Sequence, residues 1–586
     1  ASTDNRKPAL NKLGTKNWQK TKSRVRKEIE DISEDLIKLY IKRELSSGYA
    51  YSIDGSLQAE FEADFSFAPT EDQVKATEEI KRDMEKERPM DRLLCGDVGF
   101  GKTEVAMRVA FKAVTDNKQV AVLVPTTLLA EQHYDNFISR FANFPINIEV
   151  VSRFKSAKDI TEICKKLEEG KIDIIVGTHK LLNDKFKYKD LGLLIIDEEQ
   201  RFGVKHKEKI KHLKNTVDVL TLSATPIPRT LHMSLIGIRD LSVIETPPRE
   251  RQPIQTFVTA QNKMVIKEAV MNEVNRGGQV FYVYNRVETI DEKYLELKRL
   301  LPDINIAYAH GRMSQRELEN IMTDVIDRKY DMLISTTIIE TGIDISNVNT
   351  LIVEDADRFG LSQLYQLRGR VGRSSREAYA YLMYEPFKSL TENSEKRLSA
   401  IKNFTSLGSG FKIAMQDLSI RGAGDVLGGR QHGFIDSVGY TLYSQMLEQE
   451  IQAKKGILEP LLEQDRTQDV SYYENIIKEA APKIKKDIFE VETDDLEIKL
   501  NVDAFIPKEY ISNDADKIDF YKRLNNVVSD EEIESIVEDL IDRFSDFGEE
   551  VNNLIDICYL KVMAKNTMVT SIKELANKVV ITFDKE

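Results

Sequence analysis

The chain has 586 residues, 41% of them hydrophobic and 31% charged, with a formal net charge of −13. This composition excludes a disordered or fibrous chain and leaves room for about three to four packed domains. There is no apolar run long enough to span a bilayer, residues 1–30 are polar and basic rather than leader-like, and Cys95, Cys164 and Cys558 lack metal-ligand spacing, so a reducing, cytoplasmic setting is expected.

In chain order, residues 15–47 are predicted as one long helix, because Val25, Ile29, Ile32, Leu36 and Leu39 recur at spacings of three and four. Its other faces are basic, and residues 1–48 are assigned as a connector. Residues 49–247 alternate helical patterns with short β-rich runs: Val120–Val124, Ile172–Val176, Leu193–Ile196 and Val219–Leu222. That alternation predicts an α/β domain with a parallel sheet covered on both faces. A second such domain is expected over 248–395, with strands at Val280–Tyr284, Ile304–Ala307, Met332–Ser335, Thr350–Val353 and Ala378–Met383. Pro247 and Pro248 mark the hinge between the two. Residues 396–456 read as a helical hairpin. An acidic α+β domain follows over 457–586, with a strand near Leu496–Val502 and helices near 515–528, 531–544 and 548–565. Residues 461–586 carry 30 acidic and 16 basic side chains, which leaves the remainder of the chain close to neutral. A near-neutral body is compatible with local, releasable contacts to a polyanion but does not argue for them.

The strongest chemical signal is Gly96-Asp97-Val98-Gly99-Phe100-Gly101-Lys102-Thr103, placed between the apolar Leu93-Leu94 and a helix-patterned run. Glycines at 96, 99 and 101 allow backbone N–H groups to close around phosphates at a helix N-terminus. Lys102 would reach the β and γ phosphates of ATP, and Thr103 would ligate Mg²⁺. The partner signal is Leu193-Leu194-Ile195-Ile196-Asp197-Glu198-Glu199-Gln200, an apolar strand ending in carboxylates. It would place Asp197 beside Mg²⁺ and Glu198 beside the attacking water. Ser223-Ala224-Thr225 ends a further strand. The second α/β domain has no glycine loop but carries Gln366-Leu367-Arg368-Gly369-Arg370-Val371-Gly372-Arg373, whose arginines can present guanidinium groups to a phosphate across a cleft.

The ordered set Gln73, Gly96–Thr103, Pro125-Thr126-Thr127, Gly177-Thr178-His179, Asp197–Gln200, Ser223–Thr225, Ser335–Asp344 and Gln366–Arg373 resembles a superfamily 2 helicase, with two tandem RecA-like lobes. Its DEEQ form is similar to the branch holding RecG and the transcription-repair coupling factors. The resemblance implies that Gln73 reads adenine, that Gly342 and Asp344 lie near the nucleotide, and that Arg370 and Arg373 are arginine fingers. It implies a double-stranded DNA track lined by Thr126, Thr178, His179, Thr336 and Thr337, with Ser223 and Thr225 coupling the two sites. Residues 416–433 resemble the translocation motif those two families share, in which Arg421 and Gln431 would be the working polar groups.

The ends distinguish the two families. Leu10–Gly14, Trp18 and the basic helix resemble the segment after the polymerase-binding domain of coupling factors. Ile506-Pro507, Tyr510-Ile511 and Asp542-Arg543-Phe544 resemble their C-terminal domain, although Ser545 stands where that family usually has glycine. The resemblance implies a nucleoid-associated protein, a damage-recognition half and polymerase-binding domain upstream of residue 1, and RNA polymerase and UvrA as partners of the longer protein. Two other readings stand beside it. One is a RecG-like fork-remodelling helicase, for which residues 1–48 are too short to supply a wedge domain. The other is a nucleotide-gated binding protein without turnover, which would not need Glu198.

Overall fold

The computed structural model describes residues 29–586 apart from a set of stretches, the longest being 225–238, 418–439 and 481–496. It divides into two compact units, Ala1–Lys478 and Glu479–Glu586.

The first unit holds two α/β lobes. The first lobe's strands are β1 (Asp91–Gly96), β2 (Gln119–Leu123), β3 (Ile148–Val151), β4 (Ile174–Gly177), β5 (Leu191–Asp197), β6 (Asp218–Ser223) and β7 (Asp240–Ile244). They form one sheet in the order β3-β4-β2-β5-β6-β1-β7, and every pairing is parallel. Successive side chains of a strand point to opposite faces, and here both faces are covered. Val120, Val122, Ile174, Val176, Leu193 and Ile195 enter one core with Phe61 and Phe111. Ala121, Leu123, Ile175, Leu194 and Ile196 enter the core on the other face.

The second lobe repeats the plan with β8 (Gln255–Ala260), β9 (Gln279–Val283), β10 (Ile306–Ala309), β11 (Met332–Ser335), β12 (Val348–Val353) and β13 (Tyr379–Tyr384), in the order β10-β11-β9-β12-β13-β8. Phe281, Val283, Leu333 and Leu351 pack on one face, and Val280, Tyr282, Ile334 and Ile352 on the other. The two-lobe α/β fold is the one the sequence pattern predicts. Within these two lobes, the strands it did not predict are β3, β7 and β8. Each is the edge of its sheet, with a strand neighbour on one side only, and β7 and β8 are in addition only partly buried. Strand β10 also lies two residues beyond its predicted start at Ile304.

A helix at 29–44 packs on the helix Tyr440–Gln464, its apolar side formed by Ile29, Ile37 and Ile41. Lys454, 1% exposed, donates to Ser33 Oγ at 2.6 Å and pairs with Glu450 at 3.0 Å. Tyr40 Oη donates to Glu459 at 3.3 Å, and Arg43 pairs with Asp240 of β7 at 2.7 Å. Residues 15–28 of the predicted helix lie outside the described residues. The helix Tyr440–Gln464 runs across residue 457, burying Leu458 and Leu462, so the physical division comes at 478 rather than at the 457 boundary expected from charge.

The second unit has a three-stranded sheet of β14 (Glu497–Lys499), β15 (Val569–Leu575) and β16 (Lys578–Phe583), parallel between the first pair and antiparallel between the second. Helices Asp530–Phe544 and Glu549–Lys565 pack around Ile506, Phe520, Leu524, Ile533, Leu540 and Val551. Ser545 closes the first of these helices at φ +70°, ψ −168°.

Candidate functional site

All strands of a parallel sheet present their C-terminal ends along one edge, and β1, β5 and β6 end at the cleft facing the second lobe. Strand β1 runs into the glycine loop, and the helix Lys102–Thr115 leaves it. Gly99 and Gly101 adopt φ +81° and +78°, the left-handed region that favours glycine. A Cβ at Gly101 would lie 2.4 Å from Gln73 Nε2, and one at Gly99 would lie 2.3 Å from an Arg251 guanidinium nitrogen. Gln73 Nε2 donates to Phe100 O at 2.9 Å while its Oε1 accepts from Thr70 N at 3.0 Å, so this side chain braces the loop as well as capping its own helix. Lys102 Nζ donates to Gly96 O at 2.6 Å and Asp97 O at 2.9 Å. Burial pushes the Lys102 ammonium below its ordinary pKa.

Strand β5 delivers Asp197, and Glu198 turns out of it at φ +54°, ψ +57°, a strained left-handed conformation for a residue with a Cβ. Glu198 Oε1 accepts from Ala224 N at 3.2 Å, and Oε2 accepts from Gln200. This ties the carboxylate to the end of β6, where Ser223 is buried. Burial and the neighbouring Asp197 push the Glu198 carboxyl up. Burial also acts to raise Asp197, but the hydrogen bond and charge of His133, with Lys102 and Arg370, hold it below the usual carboxylate range. His133 Nε2 lies 3.2 Å from Asp197 Oδ2, and because a carboxylate only accepts, that nitrogen carries the proton. Glu199 is engaged elsewhere, bound by the buried Arg239, which also holds Thr221 and Asp91.

From the second lobe, the buried Arg370 sets its charge on both Asp197 and Glu198. Gln366 Oε1 accepts from Arg201 of the first lobe at 3.4 Å. The cleft thus brings Lys102, Asp197, Glu198 and Arg370 together, with Thr103 on the first turn of the helix leaving the loop. The oxygen donors Thr103 and Asp197 are the hard type that Mg²⁺ takes. Among the described residues no group of three or more His, Cys, Asp or Glu forms a metal cage. The left-handed cradle and the ammonium it surrounds fit a polyphosphate, and the donor set fits a divalent cation bound mainly through phosphate.

Thr126 caps the helix Thr127–Arg140 at the end of β2, and Thr178 and His179 follow the adjacent β4. In the second lobe Thr336 and Thr337 follow β11. The two lobes also touch through other residues, since Gln315 Nε2 donates to Thr127 Oγ1 at 3.4 Å and Arg153 pairs with Glu319. Thr225, Gly342, Asp344, Arg373, Arg421 and Gln431 lie outside the described residues. His133, Arg153, Arg251 and Tyr365 also contribute to the site, and none of them stands in a contiguous motif with its partner. For Asp97 a signal was present, because it is the only acidic residue of the glycine loop.

Family models for the DEAD/DEAH box helicase match residues 70–234, for the helicase conserved C-terminal domain residues 261–375, and for the TRCF domain residues 500–586. The first two imply nucleotide binding and hydrolysis. A transcription-repair-coupling factor of Staphylococcus haemolyticus strain JCSC1435 is 55% identical over 99% of this chain and 47% of its own length. Its counterpart in Staphylococcus aureus strain USA300 is 56% identical over 98% of this chain and 47% of its own. The chain therefore spans about half the length of the curated relatives it matches. A solved structure of RecG bound to a three-way DNA junction superposes with a TM-score of 0.61 at 34% identity, covering 73% of this chain and 57% of that one. Among the described residues, no helix is long and apolar enough to cross a membrane.

Proposed function

The chain belongs to the transcription-repair coupling factors, and from that premise we propose that it is their motor portion, an ATP hydrolase that translocates on double-stranded DNA. The observation that supports this most is the single cleft holding Lys102, Asp197 and Glu198 from one lobe and Arg370 from the other. Lys102 binds the β and γ phosphates, exchanging two backbone carbonyls for them. Thr103 and Asp197 hold Mg²⁺, which when bound neutralises phosphate charge. Glu198 orients and deprotonates the attacking water, and Arg370, with Arg373, stabilises the charge that develops on the transferred group. Because half of the site sits on each lobe, the presence of the γ phosphate favours closure and its loss favours opening. Gln73, Gly342 and Asp344 complete the nucleotide contacts.

Thr126, Thr178, His179, Thr336 and Thr337 form the DNA track in this reading, with Ser223, Thr225, Arg421 and Gln431 coupling it to the cleft. Residues 1–48 serve as connector, 396–456 as the translocation segment and the acidic C-terminal unit as a regulator. In the longer protein the motor would push or release stalled RNA polymerase and recruit excision repair through UvrA.

The test is ATPase activity and third-strand displacement on plain duplex DNA. We expect turnover that rises with duplex and a third strand removed only while ATP is hydrolysed. A requirement for branched DNA would replace this reading with fork remodelling, and absent turnover would replace it with a nucleotide-gated binder.

A further inference from the structure

Asp97 faces two ways. Its carbonyl oxygen accepts from the Lys102 ammonium at 2.9 Å, on the phosphate side of the loop. Its carboxylate, in a side chain only 7% exposed, reaches the other lobe, where Oδ1 accepts from Gly410 N at 3.0 Å and Oδ2 accepts from Gly408 N at 2.9 Å and from Tyr365 Oη. Three donors on one buried carboxylate make a strong, directional bond set. The fit requires glycine at both backbone positions. A Cβ at Gly410 would lie 2.1 Å from Asp97 Oδ1, and Gly408, at φ +86°, would carry a Cβ 2.2 Å from Glu245 O.

The segment so gripped leads into the translocation motif. Arg368 donates to Ile401 O at 3.1 Å and to Phe404 O at 2.7 Å, and Ser362 Oγ donates to Asp417 at 2.7 Å. Ile401, Phe404 and Asp417 are thereby fastened to the second lobe by Arg368 and Ser362, and Gly408 and Gly410 to the phosphate loop by Asp97.

We infer that Asp97 is a positioning residue that conveys the state of the phosphate site to the segment entering the translocation motif, by a route separate from Arg370. A triphosphate is a stronger acceptor for the Lys102 ammonium than two carbonyls, so nucleotide binding frees the Asp97 carbonyl and lets its peptide rotate. The carboxylate on the same residue then carries that rotation to Gly408 and Gly410. The inference rests on the motor reading only for what the segment goes on to do.

The experiment is hydrogen exchange at the Gly408 and Gly410 amides with and without a non-hydrolysable ATP analogue, joined to third-strand displacement per ATP hydrolysed. In the wild-type chain the analogue should change exchange at both amides. In Asp97→Asn, exchange there should rise at least tenfold and cease to respond to the analogue. Displacement per ATP hydrolysed should fall at least tenfold. Tyr365→Phe, which removes one donor and no charge, should move both readouts the same way by about threefold, and it decides the matter if Asp97→Asn does not fold. A wild-type chain whose Gly408 and Gly410 amides ignore the analogue overturns the inference. So does an Asp97→Asn protein that loses nucleotide affinity while its displacement per ATP is unchanged. A wild-type chain with the exchange response but no strand displacement leaves the link standing and removes the motor reading instead.

Discussion

Replacing Ser545 with glycine should stabilise the C-terminal unit. At φ +70°, ψ −168° the residue occupies a region that is nearly glycine-only, where a side chain costs about 1–3 kcal/mol. Both contacts made there are backbone contacts: Ser545 N donates to Ile541 O at 2.9 Å, and Ser545 O accepts from Tyr510 Oη at 2.9 Å. Glycine keeps both, and the serine side chain is exposed, so little is lost with it. The greater freedom of glycine in the unfolded chain offsets about 0.5–1 kcal/mol. The net gain is about 1 kcal/mol, which for a domain of this size raises the melting midpoint by about 4–8 °C. Calorimetry would report the shift, and slower hydrogen exchange in the helices Asp530–Phe544 and Glu549–Lys565 would assign it to this unit. Ser545→Ala is the control, since it retains the Cβ and should gain nothing. Equal stabilisation by alanine and glycine, or none by glycine, would refute the strain account.

Glu198→Gln should bind ATP normally and lower kcat by about 10²–10⁴ in steady-state assays, whereas Lys102→Ala should fail to bind a fluorescent ATP analogue. Arg370→Ala should cut kcat by about 10³ or more with little change in ATP affinity, because its charge acts on the transition state; a reversed split in kinetics and equilibrium binding would make it a binding group. His133→Leu removes the hydrogen bond that orients Asp197 and should raise the Mg²⁺ needed for half-maximal ATPase by about tenfold, measured by titration. A chain ended after Lys478, which leaves the helix Tyr440–Gln464 whole, should keep duplex-stimulated ATPase. If its DNA affinity instead rises sharply, with the gain shrinking as salt increases, the acidic unit acts by charge repulsion.

What could be seen in the sequence was what lies contiguously along it. The glycine loop and the carboxylates at the end of β5 each occupy one short stretch, because a strand, a turn and a helix start must follow one another to build them. The central strands were visible for a similar reason, since burial on both faces demands unbroken runs such as Leu193–Ile196. The partners of Asp97 lie 268 and 311 residues away, and no local pattern couples an aspartate to a tyrosine or a glycine amide over such distances. His133 likewise reads as one polar residue on an otherwise ordinary helix until the sheet brings Asp197 beside it. The departure at Ser545 was visible only as a difference from a family habit, and the backbone angle supplies its physical meaning.

The pairing of the helix at 29–44 with the helix Tyr440–Gln464 also bears on how the chain is made. Ser33 and Lys454 are 421 residues apart. At about 5–20 residues per second, a ribosome needs roughly 20–80 s to supply the second after the first. Arg43 and Glu44 meet Asp240 and Arg88 of the first lobe much earlier, so one end of the helix docks while its Ser33 and Ile37 side waits uncovered. During that interval the face of the helix carrying Ile29 and Ile37, each 2% exposed in the folded chain, lacks its later partner, so slower synthesis would lengthen its exposure.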